Sequence, residues 1–192
     1  MKTTKPIRFI DLFAGIGGFH FAFHKLGLKC VFASEINSDA RNSYIKNFAP
    51  LVSTDFFKNN FNADIYQQDK NEIPDFDILC AGFPCQPFSQ IGYKKGFSED
   101  LEGRGNLFFE IAKILEIKKP RAFFLENVQH LIKHDDGRTL NIIKETIEKL
   151  DYSFYYKVIR ASDFNLPQHR PRIFMVGFLG EKKEDKMFDF PK

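Results

Sequence analysis

The chain of 192 residues contains no tryptophan, three cysteines and no long run of apolar residues. Its cysteines, Cys30, Cys80 and Cys85, are odd in number and lack Cys-x-x-Cys spacing, which argues against a disulfide framework and against a zinc site. No segment approaches the roughly 20 apolar residues of a membrane span, and the N-terminus lacks the apolar segment of a signal peptide. We therefore expect a protein of a reducing cytoplasm, without a bound metal or a membrane partner.

No charge of one sign dominates: 28 Lys and Arg stand against 25 Asp and Glu, which leaves a net charge of +3. This excess is smaller than that of a strongly basic nucleic-acid module, so charge alone does not identify a partner. Hydrophobic residues make up 43% and charged residues 28% of the chain. These are ordinary globular values, and they exclude disordered, collagen-like and coiled-coil chains.

Short β-rich runs alternate with helical periodicity along most of the chain. The pattern predicts strands at 7–13, 29–34, 76–81, 122–126, 154–159 and 173–178. It predicts helices at 19–26, 37–48, 106–118 and 139–150. Repeated βα units favour an α/β fold with a doubly wound, mostly parallel sheet, whose ligands bind at the carboxyl ends of the strands. The charged, aperiodic end predicts one domain over residues 1–180 and a linker or truncated junction over 181–192.

A glycine-rich turn follows the first predicted strand. Gly15, Gly17 and Gly18 allow backbone N–H groups to approach a ligand closely, but His20 stands where a dinucleotide fingerprint has its third glycine. Glu35 lies 20 residues after Gly15, at the end of the second strand, where a carboxylate can bond both ribose hydroxyls of an adenosine-type ligand. The turn favours a nucleoside cofactor over a purely structural role, and NAD is weakened as a candidate without being excluded.

Asp64 is a candidate acceptor for an adenine amino group, with Ile65 and Phe13 on the two sides of the ring. Taken alone, a residue such as Asp64 is more often a solvated loop residue.

Cys85 lies between Pro84 and Pro87, whose rings fix their own φ and stiffen this loop, so we expect its thiol to have a defined direction. A catalytic thiol must be accessible and must reach the thiolate form. A lone cysteine is more often a small buried hydrophobe. That interpretation suits Cys80, inside an apolar strand, and not Cys85.

Five motifs follow one another in the order found in the catalytic half of DNA (cytosine-5) methyltransferases, which the chain resembles over residues 7–192. They lie at 11–18, 82–89, 103–108, 126–128 and 168–172. Methyltransferases directed at amino groups would carry an Asn/Asp-Pro-Pro-aromatic motif after the fourth strand. RNA cytosine methyltransferases of the two-cysteine kind would carry a second cysteine near Glu126. The sequence has neither feature.

The resemblance implies a Rossmann-like, S-adenosylmethionine-dependent methyltransferase fold. It implies that Cys85 adds to carbon 6 of cytosine, that Glu126 contacts ring nitrogen 3, and that Arg172 with Arg170 stabilises developing charge. The implied methyl donor is S-adenosyl-L-methionine, which leaves as S-adenosyl-L-homocysteine. Positions matching its binding site are Phe13, Ala14, Gly15, Gly17, Gly18, Glu35, Ile36, Asp64, Ile65, Pro84 and Leu107. Many relatives have tryptophan where Ile36 stands, so we expect weaker stacking on the adenine here.

Relatives continue into a target-recognition domain and a returning C-terminal helix, which these residues do not contain. The resemblance therefore implies the catalytic subunit or fragment of a split, restriction-modification-type enzyme. It would act on double-stranded DNA in the cytoplasm, together with a second polypeptide that carries the missing parts. The target base must flip out of the duplex, and residues 92–105 are predicted to close over it.

Three other interpretations remain open. The chain could be a catalytically silent remnant that binds a cofactor or a partner. It could belong to an enzyme that methylates transfer RNA, because that branch of the family shares the motifs. A dehydrogenase is a distant further alternative.

Overall fold

The computed structural model describes residues 5–84, 107–181 and 188–191. The chain divides into two compact units, Met1–Gly82 and Phe83–Lys192. Cys85, the motif residues 103–106 and the segment 92–105 predicted to close over a base lie outside the described residues.

The first unit alternates strands with helices. Its strands are β1 (Arg8–Leu12), β2 (Lys29–Ser34), β3 (Phe61–Asn62) and β4 (Ile78–Gly82). Its helices are α1 (Gly18–Lys25), α2 (Ser38–Phe48) and α3 (Thr54–Asn59). The strands lie in the order β3-β2-β1-β4, and every pair is parallel. Parallel pairing needs crossover connections, so the carboxyl ends of these strands share one edge, where the glycine turn also lies.

The second unit has an antiparallel arrangement. Its strands are β5 (Ala122–Val128), β6 (Tyr155–Arg160) and β7 (Pro171–Phe178). Its α-helices are α4 (Leu107–Lys118) and α5 (Arg138–Lys149), and short 3₁₀ helices span Gln129–Ile132, His134–Gly137 and Ala161–Phe164. Strand β7 lies between β5 and β6 and runs antiparallel to both. This register decides which side chains of β5 and β7 meet.

Part of the segment 181–192 packs against the sheet of the second unit. The Phe188 ring centroid lies 5.7 Å from that of Phe178 and 5.9 Å from that of Tyr155. The Lys157 ammonium donates a hydrogen bond to the Pro191 carbonyl at 2.9 Å. Residues 188–191 therefore contact β6 and β7.

The predicted alternation is confirmed, and the predicted ends of the matching elements agree with the observed ones to within two residues. The sequence did not predict α3 and β3, because elements of six and two residues are too short to show a period. In α1 the apolar spacing suggests a face that includes Leu26, yet Leu26 is 74% exposed and the buried helix residue is His20. The reason is tertiary: the His20 ring has a hydrogen-bond partner and a stacking partner on α2.

Gly17 has a left-handed backbone, φ 96°, and a Cβ there would overlap the Phe48 ring. A Cβ on Gly18, the first residue of α1, would meet no atom within 4 Å, and Gly18 has no positive φ. We predict that Gly17→Ala lowers the free energy of unfolding by about 3 kcal/mol, through backbone strain and overpacking. Gly18→Ala should change it by less than about 1 kcal/mol. Urea unfolding of both variants measures the difference, and equal midpoints would contradict the packing of Phe48 on Gly17.

Candidate functional site

The turn between β1 and α1 has a left-handed backbone at several positions. Phe13, Gly15 and Gly17 have φ values of 54°, 56° and 96°. The Ala14 N–H donates to the Ser34 carbonyl at 2.9 Å, and the Gly17 N–H donates to the Ala14 carbonyl at 2.8 Å. A left-handed non-glycine residue such as Phe13 costs roughly 1–2 kcal/mol. The hydrogen bonds offset that cost and give the turn one defined shape.

Glu35 joins this turn to the end of β2. Its Oε2 accepts a hydrogen bond from the Gly15 N–H at 2.8 Å, and its Oε1 accepts one from the Asn37 N–H at 2.8 Å. Each carboxylate oxygen has a second lone pair. Both oxygens can therefore accept from two neighbouring hydroxyls, as a ribose would require. The structure brings Glu35 and Gly15 together, and the remaining acceptor lone pairs of Glu35 fit the ribose of an adenosine-type ligand.

The other candidates of the first unit lie at the same edge. The Glu35 N–H donates to the Asn62 carbonyl at 3.1 Å, and the Asn62 side chain accepts from the Asp64 N–H at 3.0 Å. Ile36 is 70% exposed, whereas Ile65 is 3% exposed. Ile36 can therefore offer a broad apolar surface to a ring, and Ile65 only a small one.

Three residues of the α2 region shape these loops, although the sequence did not single them out for this role. The Arg41 guanidinium donates to the carbonyls of Glu35 and Ile36 at 2.9 and 2.7 Å. The Asn47 amide donates to the Ile16 carbonyl at 3.0 Å. Asn37 caps α2 by accepting from two backbone N–H groups. An Asn before a helix is a recognisable cap signal, but Arg41 and Asn47 carry no local signal of their loop contacts.

In the second unit, the structure brings Glu126 and Arg172 together. The β5–β7 register sets Val128 opposite Arg172 and Glu126 opposite Phe174, so the two charged residues are diagonal neighbours. Arg172 Nε lies 2.7 Å from Glu126 Oε1, and the side chains are 20% and 25% exposed. Arg170, two residues before Arg172, is exposed.

Burial raises the pKa of the Glu126 carboxyl above its ordinary value, while Arg172 and then Arg170 act to lower that pKa. The net shift is upward. A carboxyl with a raised pKa keeps its proton closer to neutral pH and can donate a hydrogen bond to a base nitrogen. Arg172 contributes a positive charge beside the same carboxyl.

Asn127 holds the backbone that leads to the cysteine motif. Its buried side-chain amide donates to the Phe83 carbonyl at 2.9 Å, and its Oδ1 accepts from the Val128 N–H at 2.8 Å. Pro84 is exposed and Leu107 is half-buried at the start of α4. Cys85 itself lies outside the described residues.

The two described cysteines are buried free thiols, as expected for Cys80. Burial raises the pKa of both Cys30 and Cys80, so neither forms a thiolate readily. In the described ranges, no group of three or more His, Cys, Asp or Glu side chains could hold a metal. A search of the same parts of the chain finds no helix with the length and apolar character of a membrane span.

The comparisons with known sequences agree on one family. The family model for the C-5 cytosine-specific DNA methylase matches residues 7–192. The chain is 50% identical to the Type II methyltransferase M.DsaV of Dactylococcopsis salina, covering 98% of this chain and 50% of the relative. It is 45% identical to M.HhaI of Haemophilus parahaemolyticus, covering 100% of this chain and 54% of the relative. The chain thus spans about half the length of these curated relatives.

Solved structures show the same fold. A Spodoptera frugiperda DNMT2 mutant matches with a TM-score of 0.70 and 23% identity, covering 92% of this chain and 51% of that one. S. pombe Dnmt2 methyltransferase matches with a TM-score of 0.64 and 21% identity, covering 92% of this chain and 50% of that one. The predicted fold class, an α/β doubly wound, mostly parallel sheet of the Rossmann-like methyltransferase type, is confirmed. Because the family model covers all but the first six residues, the chain belongs to the C-5 cytosine-specific DNA methylase family.

Proposed function

We propose that this chain supplies the nucleophile and the cofactor-binding residues for methyl transfer from S-adenosyl-L-methionine to carbon 5 of cytosine in double-stranded DNA. The remaining part of the enzyme would be carried by a second polypeptide. The observation that carries the proposal is the Glu126–Arg172 pair, a partly buried carboxyl with a raised pKa beside a guanidinium. In a chain of this family, the pair has the properties that a protonating contact to a pyrimidine ring needs.

The cofactor would be held by the first unit. S-adenosyl-L-methionine supplies an electrophilic methyl group on its sulfonium. Glu35 would accept from the ribose hydroxyls through its remaining lone pairs, and the glycine turn would lie close to the rest of the ligand. The exposed Ile36 would contact the adenine face, while Phe13, which is half-buried, would lie on the other side.

The base chemistry would begin with Cys85. Carbon 5 of cytosine is a weak nucleophile, so the Cys85 thiolate would add to carbon 6 and form an S–C6 bond. Glu126 would place a proton at ring nitrogen 3 as negative charge develops there, and Arg172 would stabilise the same charge. Carbon 5 could then take the methyl group. Loss of the proton from carbon 5 to a base, cleavage of the S–C6 bond and return of the nitrogen 3 proton to Glu126 would restore the double bond, the Cys85 thiolate and the protonated carboxyl.

The second polypeptide is proposed from the length of the relatives. The chain covers 50% of M.DsaV and 54% of M.HhaI, so a counterpart of their remaining halves would supply the major-groove contacts that specify a DNA sequence. The modest net charge of +3 is consistent with a DNA surface that this chain forms only in part.

The test of the nucleophile is covalent capture on a DNA duplex that carries 5-fluorocytosine, in which fluorine blocks loss of the group on carbon 5. The complex of this chain with its co-purified partner should be captured in the presence of the cofactor. Cys85→Ala should abolish capture and methyl transfer, because no thiolate remains to add to carbon 6. Cys80→Ala is the matched control and should keep both, because Cys80 is a buried thiol with a raised pKa.

Capture of the Cys85→Ala variant would contradict the mechanism. Robust methyl transfer by the isolated chain would contradict the need for a second polypeptide. Incorporation of methyl groups into transfer RNA instead of duplex DNA would contradict the proposed substrate.

Arg172→Met should raise the pKa of the Glu126 carboxyl further, because it removes the nearest positive charge and the hydrogen bond that favour the carboxylate. A ¹³C NMR titration of the Glu126 carboxyl measures the change. Arg121→Met, at an exposed arginine before β5, is the matched control and should leave the titration unchanged. A pKa that stays constant or falls in Arg172→Met would contradict the assigned contact.

The same shift has a consequence for stability. Because the pKa of Glu126 is raised in the folded state above its ordinary value of 4.5, the protonated side chain favours folding. This contribution is complete below that ordinary value and is lost as pH rises through the folded pKa. Unfolding at a series of pH values should show less loss of stability above pH 4.5 in Glu126→Gln than in the wild type.

Glu35→Gln should weaken binding of S-adenosyl-L-homocysteine by about tenfold or more. The NH₂ group of glutamine replaces one oxygen that accepts a backbone N–H, and the substitution also removes the negative charge that strengthens both hydrogen bonds. Isothermal titration calorimetry measures the affinity. Asp39→Asn removes the same charge from an exposed residue in the first turn of α2 and should bind the ligand normally. Equal affinities of the two variants would exclude Glu35 from the cofactor site.

A further inference from the structure

His20 makes contacts that its position in the glycine motif does not explain. It is buried on α1, and its Nδ1 forms a hydrogen bond of 2.5 Å with the Tyr44 hydroxyl. Its ring stacks on Phe48, with 4.0 Å between centroids and 7° between planes. The Phe9 ring meets it edge-on at 5.6 Å. One imidazole therefore contacts α2 at two residues four positions apart, which share a helix face.

The imidazole is neutral under ordinary conditions. Burial lowers the pKa of His20 to about 4, and the neighbouring His24 acts in the same direction. Burial likewise raises the pKa of the Tyr44 hydroxyl, so that group keeps its proton. The contact is thus a hydrogen bond between two neutral buried groups, which fixes the orientation of the imidazole ring.

The stacked ring of Phe48 connects His20 to the glycine turn. A Cβ on Gly17 would overlap the Phe48 ring, so the backbone of the turn lies directly against that ring. The backbone N–H of His20 donates to Asp11 Oδ2 at 3.2 Å, a bond that does not involve the imidazole ring. Asp11 belongs to β1, just before the turn. The backbone of His20 is therefore bonded to β1, and its ring packs against Phe48, which in turn lies against Gly17.

This arrangement also accounts for the missing third glycine. In a dinucleotide fingerprint that glycine lets the helix approach the sheet closely. Here a side chain occupies the position, and its ring fills the space between α1 and α2 by stacking and hydrogen bonding. The geometry of the turn then depends on the orientation of that ring.

We propose that His20 is a positioning residue for the cofactor turn, acting through Tyr44 and Phe48. The proposal rests on the proposed function, in that the turn binds the cofactor. Because His20 is buried, it would act on the ligand only through the turn. It holds the Phe48 ring against Gly17, and so it sets the direction of the Gly15 N–H and the position of Glu35, which bonds to that N–H.

Tyr44→Phe tests the proposal because it removes one hydroxyl and keeps both rings. We expect about fivefold weaker binding of S-adenosyl-L-homocysteine to the folded variant, measured by calorimetry well below its unfolding temperature. We also expect changed NMR shifts for the Gly15 and Gly17 amides without ligand. Tyr156→Phe, which removes the hydroxyl of an exposed tyrosine on β6, is the matched control and should change neither measurement.

The double variant His20→Phe/Tyr44→Phe separates positioning from stability. Replacing both hydrogen-bond partners by apolar rings avoids an unsatisfied buried group and should recover most of the stability lost in Tyr44→Phe. If His20 positions the turn, affinity stays reduced in the double variant. If Tyr44→Phe does not fold, the affinity of the double variant alone tests the proposal.

Wild-type affinity in both folded variants, with unchanged glycine amide shifts, would overturn the positioning role while leaving the proposed function intact. Absence of S-adenosyl-L-homocysteine binding by the complex of the wild-type chain with its partner would overturn both.

Discussion

The left-handed backbone between β1 and α1 is the constraint on which the first unit depends. Phe13, Gly15 and Gly17 all have positive φ, and closely spaced hydrogen bonds stabilise this conformation. The Ala14 N–H reaches the end of β2, and the Gly15 N–H reaches the Glu35 carboxylate at the same end. The turn therefore ties two neighbouring parallel strands together at their carboxyl ends, where ligands bind in sheets of this class.

Glu35 follows the end of β2 and Glu126 lies near the end of β5, and the two carboxyl groups have different surroundings. Glu35 is half-buried and accepts two backbone N–H groups. Glu126 is drawn towards the protonated form by burial, and Arg172 limits that effect. The raised pKa of Glu126 suits the proposed donor to a ring nitrogen, and the remaining lone pairs of Glu35 suit the proposed acceptor for ribose hydroxyls. The same residue type can thus serve two chemical roles in one chain because local burial and local donors differ.

The sequence predicts those features whose signals are local. The glycine turn and the spacing to Glu35 lie within a single strand–helix–strand segment, so their contact follows from the fold class. The Glu126–Arg172 contact depends on the register of β5 and β7, which are far apart in the chain and leave no periodic signal of their alignment. At His20 the local sequence signal is misleading. Its polar side chain is typical of a surface residue, while the Tyr44 and Phe48 contacts that make it a core residue arise only from tertiary packing.

Burial of Cys30 and Cys80 leaves one cysteine as a candidate nucleophile. Cys30 and Cys80 lie in strands of the first unit, and their buried thiols have raised pKa values. A thiolate reaction near neutral pH is disfavoured at both, so Cys85 is the remaining candidate in the chain. Asn127 also bears on this nucleophile, because its side-chain amide donates a hydrogen bond to the Phe83 carbonyl, two residues before Cys85. A side chain adjacent to Glu126 in β5 therefore fixes the backbone at Phe83, within the motif 82–89 that contains the proposed nucleophile.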